Sequence, residues 1–165
     1  MWDKAYLEQA RSDWATRELL AKNGCTACHD LHYLQMATEK LGKAGLLRGG
    51  GKRIEDVWGT HKVFVEFLRT AAKNPSLQRA LEFKSLSQLR HYVNDILPLA
   101  REIEKLAPTL AGTGPNAEYP WEGPSQVHAP ASFDFPILSE LYNHPDGRKL
   151  QRMIKIVLER FDEFF

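Results

Sequence analysis

The chain has 165 residues and a mass of 18.9 kDa, the size of one domain that can bury a core of its own. Hydrophobic residues make up 43% and charged residues 26%, which excludes disordered, collagenous and membrane-spanning classes, and no run approaches the ~18 apolar residues of a membrane span. Twenty-two Lys+Arg against 21 Asp+Glu leave a net charge of +1, so no overall basic field recruits nucleic acid or membrane.

Apolar residues recur at helical spacing nearly everywhere and alternate with period two nowhere, which predicts an all-α fold. The first helix is expected from Asp3 to Lys22, with Tyr6, Leu7, Ala10, Trp14 and Ala21 inward and Asn23-Gly24 as its stop. The second runs from Cys25 to Leu47 on a stripe of Ala27, Leu31, Leu34, Thr38, Leu41 and Gly45, and ends at the Gly49-Gly50-Gly51 run. A third is expected to open at Thr60 as N-cap, to carry His61 in its first turn, and to bury Val63, Phe64, Phe67, Leu68 and Ala71 before Asn74-Pro75. The fourth carries Leu86, Leu89, Val93 and Ile96; Pro98 then kinks it or opens a second segment with Leu99, Ile103, Leu106 and Leu110. Residues 108–145 hold seven of the nine prolines and no Lys or Arg, and read as a long aromatic-bearing loop. The last helix is expected from Asp146 onward with Leu150, Ile154, Val157, Phe161 and Phe164 inward; Arg148, Arg152 and Lys155 form a basic edge. The expectation is therefore a single domain over 1–165, an up-and-down bundle of about five helices with a long Pro-rich loop before the last.

Three motifs carry possible chemistry. Cys25-Thr26-Ala27-Cys28-His29 matches the pattern that attaches haem through two thioethers, but no positive-then-apolar leader opens the chain at Met1-Trp2-Asp3-Lys4, and export is the usual route to that attachment. A cytoplasmic, soluble protein without cofactor is expected. Cys25, Cys28, His29 and His32 are also zinc-type ligands; Cys25 and His32 lie too far apart along a helix for one ion, and Cys28 with His32 needs two more ligands from elsewhere. Small buried thiols are the plainer reading. Cys28, His32, Gln35 and Glu39 form a semi-polar flank of helix 2 suited to a dimer interface or a polar cleft. Arg48-Gly-Gly-Gly-Lys52-Arg53 follows a helix and lacks the Ser or Thr of a nucleotide loop, so it reads as a flexible turn whose basic residues could touch a phosphate backbone.

The order of segments resembles the HEPN family (higher eukaryote and prokaryote nucleotide-binding domains). Ala10 to Gly24 looks like that family's first helix. Cys28 through Gln35, Ala37, Glu39-Lys40 and Leu47 resembles its glutamine, alanine, glutamate-lysine run, Thr60-His61-Lys62-Val63 its threonine-histidine segment, and Ala117-Glu118-Tyr119-Pro120 its tyrosine-proline segment. Residues 74–97 look like an inserted helix.

The resemblance implies a helical bundle, commonly a homodimer, encoded near a nucleotidyltransferase or in defence and toxin-antitoxin systems, with some members acting as metal-independent ribonucleases. Those nucleases carry an arginine followed after about four to six residues by a histidine, a pair that orients and polarises the RNA phosphate and 2′-hydroxyl. No arginine here has that spacing: seven residues separate Arg53 from His61, and Arg90 directly precedes His91. The expected function is thus a non-catalytic binding or assembly module for a nucleotide, an RNA or a partner protein. The alternatives are a divergent ribonuclease and a metal or haem protein. Binding is expected in a cleft between helix 2 and the 108–145 loop, where Gln35, Glu39 and Lys40 would face Tyr119 and Trp121, with Arg48, Lys52 and Arg53 as a phosphate-contacting patch.

Overall fold

A computed structural model describes all residues, 1–165. The protein is an all-α helical bundle. Its main helices are α1 (Trp2–Lys22), α2 (Ala27–Arg48), α4 (Phe64–Ala71), α6 (Leu86–Lys105) and α9 (Pro145–Glu159). Shorter helices connect them: α3 (Ile54–Val57), α5 (Pro75–Ala80), α7 (Pro108–Ala111), α8 (Pro136–Asn143) and α10 (Phe161–Phe164). The only sheet is an antiparallel pair, β1 (Trp121–Glu122) with β2 (Val127–His128), in which Trp121 faces His128 and Glu122 faces Val127. No helix is long and apolar enough to cross a membrane.

The core is one continuous cluster of 38 buried residues to which all five main helices contribute. Helix α2 is its centre, packing along α1 on one side and against α4 and α6 on the other, while α9 closes the bundle against α6 and α8. Every residue of the stripe expected on the last helix is buried, but the helix is divided at Arg160, so that Leu150, Ile154 and Val157 lie on α9 and Phe161 and Phe164 on α10. The turn between α1 and α2 is made by Gly24 at φ +70°, a left-handed conformation that only glycine adopts without cost.

Several expectations are corrected. Thr60 does not cap a helix: its hydroxyl accepts from the Lys62 amide at 3.1 Å in a local turn, and α4 starts four residues later, at Phe64. There the open amide of Val65 donates to Glu104 of α6 at 3.0 Å, so a tertiary contact does the capping. Helix α2 begins at Ala27 with Thr26 as N-cap, which leaves Cys25 outside it. Pro98 does not open a second segment, since α6 runs unbroken through it; both Pro98 and Asn94, whose carbonyl loses its helical partner there, are exposed, so water can replace the missing bond. Residues 74–97 span α5 and the first half of α6 and include core residues Leu89, Val93 and Ile96. The 108–145 stretch is not one long loop. Four of its prolines open helical turns at Pro108, Pro130, Pro136 and Pro145, where a fixed φ favours helix entry and the missing N–H has no partner to lose.

Candidate functional site

The polar residues of the bundle concentrate on the seam between α1 and α2. Asp3 meets Arg48 at 2.5 Å, Tyr6 lies under Lys43 with the ammonium 5.5 Å from its ring centre, Asp13 meets Lys40 at 2.7 Å, and Arg17 meets Asp30 at 2.6 Å. Numbers rise along one helix as they fall along the other, as antiparallel pairing requires. Pairs this buried gain little net stability, because desolvation offsets the attraction; a slipped register would strand each charge, so they act chiefly to specify alignment.

Midway along this seam lies the densest polar cluster. Glu39 is 9% exposed, and its carboxylate accepts from Gln35 Nε2 at 2.9 Å, Lys43 Nζ at 2.7 Å and His61 Nδ1 at 2.7 Å. Lys43 also donates to the Trp58 carbonyl at 3.2 Å, which anchors the segment after α3 that carries His61. Burial pushes the Glu39 carboxyl up, but the hydrogen bonds from Lys43 and His61 outweigh it and hold it below the usual 4.5. An ionised carboxylate only accepts, so His61 Nδ1 carries the hydrogen and Nε2 is the acceptor of the neutral ring. Nε2 has no protein partner, and the His61 side chain is 35% exposed. Trp58, whose carbonyl Lys43 holds, and Trp2 are exposed (62% and 48%), their indoles packed edge to face at 5.6 Å.

A folded pKa held down at Glu39 makes the unfolded chain the better proton acceptor in acid. The stability it contributes is complete above about pH 4.5 and is lost as pH falls through the lower folded value. Urea midpoints measured from pH 7 to pH 3 are therefore expected to fall below pH 4.5 in the native chain and to fall less steeply in Glu39→Gln; equal slopes would remove Glu39 as a source of acid sensitivity.

Of the residues expected to form the binding cleft, Gln35 and Glu39 do come together, joined by Lys43 and His61. Lys40 turns the other way, to Asp13. Tyr119 is exposed, but Trp121 is 8% exposed and packed in an aromatic cluster with His128, Phe133 and Phe135, so it offers no face to a ligand. The expected basic patch is largely committed. Arg48 is clamped by Asp3 and by Asp162 at 2.9 Å, Lys52 pairs with Glu66 at 3.1 Å, and Arg53 alone of the three stays mostly in water.

The zinc-type ligands do not converge. Cys28 is buried, Cys25 half-buried, and no group of three or more His, Cys, Asp or Glu side chains is placed to hold a metal ion. His29 Nδ1 lies 3.1 Å from Thr26 Oγ1, and His32 lies 3.5 Å from Glu118. The other histidines have separate tasks: His91 bonds the Ser87 carbonyl, His128 stacks on Trp121, and His144 accepts from the Asp146 amide at the start of α9. The semi-polar flank of α2 is not a free dimer face either, since Cys28, Gln35 and Glu39 are all buried within the chain.

Compared with protein-family models, curated proteins and solved structures, the chain has no match. Its chemistry is read from its own residues. Those that sequence reasoning missed are Trp2, Trp58 and the Arg17–Asp30–Tyr142 network. Trp58 stood out as a large aromatic between Gly51 and Gly59, in a segment with no other reason to hold one.

Proposed function

We propose that this chain is a HEPN-like binding or assembly module that takes a nucleotide, an RNA or a partner protein without cleaving RNA efficiently, in the manner of modules from defence or toxin-antitoxin systems. The observation that supports this reading is the 2.7 Å contact between Glu39 and His61. It joins the glutamate-lysine run and the threonine-histidine segment, two of the stretches on which the resemblance rests. The exposed groups of the 53–62 segment, with Trp2 packed on Trp58, suit an unpaired base: the two indoles offer stacking surface, His61 Nε2, Lys62 and Arg53 offer polar contacts, and the near-neutral net charge makes binding depend on these contacts. The homodimer that the resemblance implies would use another face than the buried flank of α2, and a nucleotidyltransferase is the partner class it suggests.

The same contact favours a second reading, the divergent ribonuclease, because a carboxylate holding Nδ1 leaves Nε2 placed as a general base. What weighs against it is that no arginine precedes His61 at the spacing of those ribonucleases, and that the cations nearest Glu39 are committed, Lys43 to Glu39, Lys40 to Asp13 and Arg48 to Asp3. Loss of even one such charge-stabilising donor costs about 100-fold or more in rate. Incubation with a mixed RNA pool in chelator is expected to leave the RNA intact, while tryptophan fluorescence reports salt-sensitive binding that weakens in Trp58→Ala. Cleavage that persists in chelator and disappears in His61→Ala would replace the binding reading with the catalytic one.

A further inference from the structure

We infer that the pocket between the second half of α1 and the α8–α9 corner is a binding site for a small amino-carboxylate of the free α-amino acid type. The inference is independent of the HEPN reading. The pocket has a volume of about 230 Å³ and is lined by Trp14, Arg17, Glu18, Ala21, Lys22, Tyr142 and Gln151. This is room for a molecule of amino-acid size and falls below the roughly 300–1,000 Å³ of sites for larger ligands.

Its floor is a charged group that the fold fixes without using it up. The Arg17 side chain is only 4% exposed; Nε donates to Asp30 at 2.6 Å, and Nη2 to Tyr142 Oη at 3.1 Å and to Gln151 Oε1 at 3.3 Å. Tyr142 in turn donates to Asp30 at 2.6 Å, and Gln151 to the Leu141 carbonyl at 2.8 Å, so the partners are themselves held. Nη1 alone among the guanidinium nitrogens makes no hydrogen bond, and it is not sealed from solvent. A preorganised N–H pair in a concave, partly dry site is an oxyanion receptor.

Charge decides which oxyanion. Asp30 neutralises Arg17, and Glu18 and Lys22 stand at the rim without ion-pair partners, so the lining carries no net charge. A dianionic phosphate would meet Glu18 unfavourably. A zwitterion matches: its carboxylate reaches Arg17 Nη1 and Lys22, its ammonium reaches Glu18, and an apolar side chain lies against Trp14, Ala21 and Tyr142.

The test is an NMR titration of the labelled full chain with L-phenylalanine, L-leucine and L-methionine, following the Trp14 indole and Gln151 side-chain amide signals. At least one amino acid is expected to give saturable shifts confined to the pocket, with a Kd on the order of 1 mM. N-acetyl-L-phenylalanine, phenethylamine and inorganic phosphate, which lack one or both partner charges, are expected to bind at least tenfold more weakly. Ala21→Trp, at an exposed helical position, should fill the pocket and abolish the shifts, and Lys22→Glu, also exposed, should weaken them at least tenfold. The proposal is overturned by an absence of saturable shifts with all three amino acids, by equal binding of the acetylated or phosphate probes, or by shifts that persist in both variants.

Discussion

Asp30→Ala should cost the fold about 3–5 kcal/mol, the range for removing one partner of a buried ion pair. Arg17 cannot answer the loss by swinging into water, because its guanidinium is held by Tyr142 and Gln151 and lies 4.9 Å from the centre of the Trp14 ring. Its side chain is only 4% exposed, so Nε would be left buried without an acceptor, and Tyr142 would lose its own acceptor in the same step. In the native chain burial, and then the bond to Asp30, holds the Tyr142 hydroxyl above its usual pKa, in keeping with its role as a donor to Asp30. The neighbouring seam pair gives the contrast. Asp13→Ala frees Lys40, whose side chain is 15% exposed and whose flexible stem can carry the ammonium to water, so that change should cost only about 1 kcal/mol. Thermal and urea unfolding of both variants decide the matter. A loss below about 1 kcal/mol in Asp30→Ala would mean that Arg17 is solvated well enough to do without its partner.

The long helices were legible because each presents an apolar stripe of the right period to a single core. Leu31, Leu34 and Leu41 of α2 and Leu150, Ile154 and Val157 of α9 are buried where the spacing puts them. Proline was misread through its commonest meaning. In the 108–145 stretch the density of prolines reads as a loop, yet proline's fixed φ serves equally to begin a helical turn, and nothing local distinguishes the two before the following residues find a surface to pack on. Thr60 misled for a related reason: a hydroxyl can satisfy a nearby amide in a turn as well as in a cap, and the choice was made by Glu104, which is 39 residues from the amide that it caps.

The candidate site was half legible. Gln35 and Glu39 were found, because a polar flank on an otherwise apolar helix is visible from spacing alone. Their true companions were not, since Lys43 and His61 join them only through tertiary folding. A signal did exist for the seam. Asp13 and Arg17 follow Ala10 at the three- and four-residue steps of the inward face of α1, where apolar residues are expected, and both are buried. Charges on an inward face demand partners, and opposite charges on the next helix in antiparallel order, Asp30, Lys40 and Arg48, supply them. Trp121 was misplaced because exposure of an aromatic in a proline-rich segment depends on what that segment packs against.

Phe67→Ala should also cost about 3–5 kcal/mol, and its coupling to Gly45 tests how α2 and α4 fit together. Phe67 is 1% exposed, and its ring lies directly on Gly45: a methyl group there would stand 2.1 Å from one ring carbon and 2.3 Å from another. Two opposing effects meet in Gly45→Ala. Alanine favours the helix by up to ~1 kcal/mol over glycine, whereas forcing a methyl into a filled site costs about 1–3 kcal/mol. The clash should win, because Phe67 is backed by Phe165 at 5.4 Å and has no space to yield into. The order of effects reverses once the ring is shortened. In a Phe67→Leu background the space above Gly45 opens, so Gly45→Ala should become neutral or stabilising, giving a coupling of about 0.5–3 kcal/mol between the two positions. Gly51→Ala, which meets nothing within 4 Å, serves as the control and should stay within about 0.5 kcal/mol of the native chain. Additive single and double variants in urea unfolding would show that the ring and the glycine do not constrain one another, and that the close approach of α2 and α4 is set elsewhere.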